Sequence, residues 1–131
     1  MTIVPLYAGL LALWFLALSF RVVQMRHVVS LGDGGNPELL RRIRGHGNFT
    51  EYVPFILLML GFLEASHYPA WLLHALGATL VVARLLHGYA LSFSLQFKFG
   101  RYWGTVLTFL LLIICGLLCI YQGIMAPVSP L

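Results

Sequence analysis

The sequence predicts an all-α fold: an integral membrane bundle of four helices in a single domain over residues 1–131. Three observations lead there. First, 60% of the 131 residues are hydrophobic and only 9% are charged, which is far too apolar for a soluble domain of this size. Second, the apolar residues gather in four stretches, each near the roughly 20 residues that a spanning helix requires. Third, the breaks between the stretches carry turn and helix-start residues. The spans are expected at about 3–25, 37–65, 70–94 and 101–125, with lengths set by the hydrocarbon thickness.

The first span opens with Pro5, tolerated in a first helical turn where its missing N–H has no partner to lose. Lacking the basic segment of a secretory signal, it is expected to be retained. After Val29, Ser30-Leu31-Gly32-Asp33-Gly34-Gly35 breaks the apolar pattern. Asn36-Pro37-Glu38 then reads as a helix start, with an N-cap, a proline at the first position and an acid in the positive first turn. A helix from Pro37 to about Ala65 would be about 40–45 Å long, more than a hydrocarbon core of about 30 Å, so its arginine-bearing first turns must project beyond the apolar layer. Pro54 inside it is expected to kink it just past Glu51. Ser66-His67-Tyr68-Pro69 is a short turn, with Tyr68 and Trp71 at the level of an interfacial aromatic belt. The third helix should run from Ala70 to about Ser94, with Gln96 to Gly100 as connection, and the fourth from near Arg101 to before Pro127.

Orientation follows from the basic residues, because short cytoplasmic loops retain Lys and Arg. Arg21, Arg26, Arg41, Arg42 and Arg44 surround the first connection, and Arg84, Lys98 and Arg101 lie around the third. The amino-terminal segment, the Glu64 to Pro69 turn and the carboxy-terminal tail have neither residue type. Both termini are therefore expected outside the cytoplasm. The formal charge of +4 comes from these cytoplasmic ends and calls for no nucleic-acid partner. Cys115 and Cys119, one turn apart, suit packing, since two thiols without further ligands make no metal site. Gly61, Gly77, Gly104 and Gly116 are expected to permit close helix contacts. Asn48-Phe49-Thr50 has the glycosylation pattern but lies on a helix at the cytoplasmic side.

The chemistry concentrates between Arg41 and Pro54. On a helix, Arg41, Arg44, Asn48 and Glu51 fall on one face. Ionisable groups beside lipid are costly, so this stripe should line a watered cleft. Arg84 and His87 of the third helix, Arg101 of the fourth and Arg26 at the end of the first lie at the same depth, against the single carboxylate of Glu51. Such an excess of cations fits an anionic ligand with several carboxylates, an amine and a thiolate. The bland alternative is that the arginines fix topology by snorkelling, the preferred reading for Arg21, Arg42 and Lys98, and that Arg84 pairs with Glu51 inside the bundle. Thr105 and Thr108 should bond to their own helix backbone, with Thr105 close enough to Arg101 to reach the cleft. Glu64, His67 and His74 receive no function.

At these residues the chain resembles the MAPEG superfamily, the membrane-associated proteins in eicosanoid and glutathione metabolism, and is most similar to its small bacterial branch. The pattern Arg-x-x-Arg-x-x-x-Asn-x-x-Glu-Tyr-x-Pro of the leukotriene synthase and microsomal glutathione transferase members is matched by Arg41, Arg44, Asn48, Glu51, Tyr52 and Pro54, without a gap. The resemblance implies a homotrimer in the bacterial inner membrane, with glutathione as co-substrate between adjacent protomers. Arg44, Asn48 and Glu51 would hold its carboxylates and amine, Arg84 and His87 would add contacts, and Arg26, or less well Arg21, would close from helix one. Arg101 would take the catalytic place of the arginine that stabilises the thiolate. No metal is implied. The chain departs from relatives at Gly47, Tyr102 and Leu91, where other branches carry arginine, serine and tyrosine. The expected activity is a glutathione-dependent transferase or peroxidase acting on hydrophobic electrophiles or lipid hydroperoxides. Two rivals stand beside it: a non-catalytic lipid-binding or scaffold protein of the same fold, and a ring that holds an anionic phospholipid headgroup.

Overall fold

The computed structural model describes residues 1–127, and the final four positions of the expected domain and carboxy-terminal tail lie outside the described residues. Four helices follow one another: α1 (Ile3–Val23), α2 (Pro37–Ala65), α3 (Ala70–Ser92) and α4 (Lys98–Met125). The described residues contain no strand. By length and composition, α1, α3 and α4 are apolar enough to cross a membrane. The long α2 is not among them, because its arginine-rich start and the polar Asn48, Glu51 and Glu64 thin its apolar run.

Local chemistry explains the helix boundaries. The Asn36 side chain accepts hydrogen bonds from the N–H groups of Glu38 and Leu39 at 3.0 and 3.1 Å, and Pro37 occupies the first turn. The N-cap and proline of the sequence reading are thus in place. Pro54 sits inside the helix. At the other end, His67 adopts a left-handed backbone (φ 63°), and the chain reverses into Pro69 and α3.

Three boundaries differ from expectation. Helices α1 and α3 end at Val23 and Ser92, each two residues early, and α4 begins at Lys98, so Lys98, Phe99 and Gly100 are its first turn. Gly100 reads as a turn residue in sequence, but packing decides otherwise. A Cβ there would stand 2.7 Å from the Leu86 carbonyl oxygen, so the missing side chain is what lets α4 start flush against α3.

Helix α3 is central. It packs on α1, α2 and α4, while α2 touches all three others and α1 makes no contact with α4. The core between them contains Leu11, Leu18, Ile56, Leu60, Leu80, Leu111 and Cys115. Cys115 is buried and Cys119 partly so, in line with packing. The glycines divide: Gly77 lies against the Tyr7 ring and Gly104 against His87, whereas Gly116 meets nothing within 4 Å and Gly61 only the end of Met1. For those last two the expected close helix contact is absent among the described residues.

Two charged side chains do more than the sequence suggested. Arg42, expected to snorkel, is buried; it donates to the Arg21 carbonyl at 2.7 Å and to Glu38 at 2.6 Å, tying the end of α1 to the start of α2. Glu64, assigned no role, accepts from the backbone N–H groups of Thr2, Ile3 and Val4 at 2.6, 2.8 and 2.7 Å. It therefore caps α1 from another helix, where Thr2 makes no side-chain cap of its own. Replacing Glu64 by alanine frees three donors that water can partly satisfy, so Glu64→Ala is expected to cost about 1–2 kcal/mol. Thermal unfolding in mild detergent would register it, and an unchanged midpoint would refute the capping role.

Candidate functional site

At the charged end of the bundle, α2, α3 and α4 enclose a cavity of about 360 Å³. Helix α2 contributes Leu40, Arg41, Arg44 and Asn48, spaced so that one face turns inward. Helix α3 contributes His87 and Leu91, one turn apart, and α4 contributes Arg101 and Thr105. Three guanidinium groups and an amide from α2 and α4 thus converge with the His87 imidazole of α3 on one volume, with no carboxylate in its wall. Gly104 permits the arrangement. A Cβ on it would stand 2.6 Å from the Cβ of His87 and 2.8 Å from the Ala83 carbonyl oxygen, so α4 approaches α3 closely just where His87 and Arg101 meet the cavity.

The structure brings together Arg44, Asn48, His87 and Arg101 of the residues singled out in sequence, with Arg41 and Thr105 of the same cleft. Thr105 also donates to the Arg101 carbonyl at 2.9 Å. Glu51 lies at the edge rather than in the wall; its carboxylate faces Arg44 at 3.5 Å, both side chains about half exposed. Such a pair contributes little to stability and leaves both groups available.

Arg84 is buried, with 1% of its surface exposed. The pairing with Glu51 considered in sequence does not form. Instead the guanidinium lies 3.5 Å from the Thr108 hydroxyl and 3.4 Å from Nδ1 of His87, and the Phe49 ring centre is 5.9 Å away. Its Nε has no partner among the described residues. A buried guanidinium without a carboxylate carries its positive potential toward His87, and through it toward the cavity.

Neither arginine of helix one reaches this wall. Arg26 donates to the carbonyls of Gly32 and Val29 at 2.7 and 3.3 Å, bracing its own loop. Arg21 grips the Ser92 carbonyl with Nε and Nη2 at 3.2 and 2.7 Å and lies 4.4 Å above the Phe93 ring centre. Sequence reasoning missed Leu40, whose signal was its position one turn from Arg44 on the same helix face, while Leu91, named in sequence as a departure from relatives, does line the wall.

Arg101 and Thr105 also border a second volume. It is an apolar groove of about 540 Å³ along α4, lined further by Lys98, Tyr102, Val106 and Phe109. A polar, cationic cavity and an apolar groove therefore share one wall, and Arg101 stands at their junction. Such a junction can hold a hydrophilic anion on one side and present it to an apolar molecule on the other.

Comparison with known proteins agrees with this architecture. The family profile described as the MAPEG family matches residues 4–121. Two relatives, each called inner membrane protein YecN, from Escherichia coli strain K12 and from Escherichia coli O6:H1 strain CFT073, are 40% identical over 98 residues, which is 73% of this chain and 74% of theirs. No solved structure matches the chain.

Proposed function

The chain belongs to the MAPEG family, and from that premise we propose that it is a glutathione-dependent transferase or peroxidase of the bacterial inner membrane, acting on hydrophobic electrophiles or lipid hydroperoxides. The single observation that carries this reading is the junction at Arg101, where a cavity lined by Arg41, Arg44, Asn48 and His87 meets an apolar groove. Glutathione has two carboxylates, an amine and a thiol. Arg44 and Asn48 would take a carboxylate, Glu51 the amine, and His87 with the buried charge of Arg84 would complete the polar wall. The location follows the name that its relatives carry.

The fourth span, the homotrimer and the orientation with both termini outside belong to the same proposal. A cavity at the surface of one protomer is open where a neighbour would close it, and Arg26, held in its own loop, is then a candidate to act at the adjoining protomer's site. Membrane lipids and a lipid-borne substrate are the expected partners.

In conjugation, the thiolate sulfur attacks the electrophilic carbon, the C–S bond forms, and the bond to the leaving group breaks with its electron pair. The guanidinium of Arg101 favours the thiolate and lowers the thiol pKa from its ordinary value of about 8.5. Because Arg101 stands at the surface, a shift of about 1 unit, the low end for a neighbouring cation, is expected. In Arg101→Ala the bound thiol should titrate about 1 unit higher, so that the rate profile moves to higher pH. At pH 6.5 the thiolate fraction falls about tenfold, while the more basic thiolate gains about threefold in nucleophilicity; the net loss is about threefold below both pKa values and reverses to a gain of about threefold above them. An unmoved pH profile would leave Arg101 as a topology anchor.

The reading is tested by reconstituting the purified protein with glutathione and a panel of apolar electrophiles and lipid hydroperoxides. Conjugate or reduced product above the uncatalysed rate is the expected result. No turnover across the panel would favour the non-catalytic lipid-binding or scaffold reading.

A further inference from the structure

Behind Arg41, on the side away from Arg101, lies another cavity of about 270 Å³, walled by the ends of α1 and α3 and the start of α2. Its polar part is made by Arg21, Glu38, Arg41, Ser92 and Ser94, and its apolar rim by Leu91, Phe93 and Leu95. The chemistry there is unbalanced. Arg21 is fixed by its two hydrogen bonds to the Ser92 carbonyl, which hold the guanidinium in place without neutralising it. Arg41 makes no ion pair among the described residues. The only carboxylate in the wall, Glu38, is engaged by the buried Arg42 at 2.6 Å. Ser92 is 4% exposed, and its hydroxyl finds no hydrogen-bond partner among the described residues. A buried, unpaired hydroxyl on a residue whose cavity wall also carries two cations leaves room for an acceptor.

The rim gives that acceptor a tail. Phe93 and Leu95 are exposed at the surface, where the charged end of the bundle adjoins its apolar belt. A small soluble anion would leave this rim unused. A molecule with a charged head and hydrocarbon chains would fill both parts.

We propose that this cavity binds the phosphate of an anionic phospholipid, at a site separate from the cavity beside Arg101. Arg21 and Arg41 approach from different helices, which suits the spread oxygens of a phosphate, and the Ser92 hydroxyl donates to a third. The rim residues lie along the first carbons of the chains. Arg41 and Leu91 border both cavities, so an occupied lipid site would also fix Arg41 in the wall of the first.

The experiment counts bound lipid by native mass spectrometry on protein in zwitterionic detergent, titrated with dioleoyl phosphatidylglycerol. One retained lipid per chain is expected, and dioleoyl phosphatidylcholine, whose ammonium faces two cations, should be retained far less. Arg41→Gln should weaken binding about tenfold or more, the loss of one charge-assisted contact, and Ser92→Ala about threefold, the loss of one hydroxyl contact. Asn48→Ala, confined to the first cavity, and Lys98→Gln, a cation at the same end but outside both, should leave lipid retention as in wild type. Retention undiminished in Ser92→Ala and Arg41→Gln would overturn the proposal, as would equal weakening by Asn48→Ala, which would move the lipid to the first cavity. Displacement by glycerol phosphate at the lipid's own concentration would overturn the lipid assignment in favour of free phosphate. If Arg41→Gln fails to fold, Ser92→Ala decides, because it removes one unpaired hydroxyl.

Discussion

Glutathione affinity is expected to fall about 10–100-fold in Arg44→Ala and in Glu51→Gln, the loss of one hydrogen bond to a charged group. Both side chains are about half exposed and pair only with each other at 3.5 Å, so neither change should unfold the bundle. That separation makes the two variants informative. Arg44→Ala removes the cation proposed for a carboxylate of the tripeptide, and Glu51→Gln removes the anion proposed for its amine. A glutathione analogue lacking the amine should therefore bind wild type and Glu51→Gln equally, while still losing affinity in Arg44→Ala. Equilibrium binding in detergent measures this. Affinity unchanged in both variants would remove the α2 stripe from recognition.

The largest effect on folding is expected from Gly104→Ala. The added methyl would stand 2.6 Å from the Cβ of His87 and 2.8 Å from both the Ala83 carbonyl oxygen and the His87 amide nitrogen. Two of those neighbours are backbone, which no rotamer change can move. The helices must separate, and a loss of about 3 kcal/mol, the upper range for overpacking, is expected. Because His87 and Arg101 flank the contact, the cavity should widen and glutathione affinity should fall with stability. Gly116→Ala is the control on the same helix; it meets nothing within 4 Å, and alanine favours the helix over glycine by about 1 kcal/mol. Thermal unfolding of the two variants should move in opposite directions. Equal midpoints would mean that α3 and α4 do not approach as described.

Much of this arrangement is legible from local sequence. Asn36 and Pro37 announce α2 because capping is a property of neighbouring residues, and the structure has the cap where the sequence has the signal. Arg44 and Asn48 share the cavity wall because a helical period fixes which side chains face one way. What escapes is contact between distant segments. Arg42 reads as a snorkelling arginine, and only the packing of the end of α1 against α2 buries it. Glu64 reads as an interfacial acid because its partners, Thr2 to Val4, are some sixty positions away. Gly100 reads as a break because sequence does not reveal the Leu86 carbonyl that a side chain would strike. The displacement of Glu51 to the edge and the isolation of Arg84 belong to the same class, since both depend on how three helices meet.

The account rests on one claim, that the cavity beside Arg101 binds glutathione and ionises its thiol. The most direct measurement is the ultraviolet absorbance of the thiolate as wild-type protein in mild detergent is titrated with glutathione near neutral pH, where the free thiol is mostly protonated. The account expects a saturable signal whose amplitude titrates below the free thiol's pKa. Absence of any saturable thiolate signal, with the protein folded and glutathione in large excess, would contradict it.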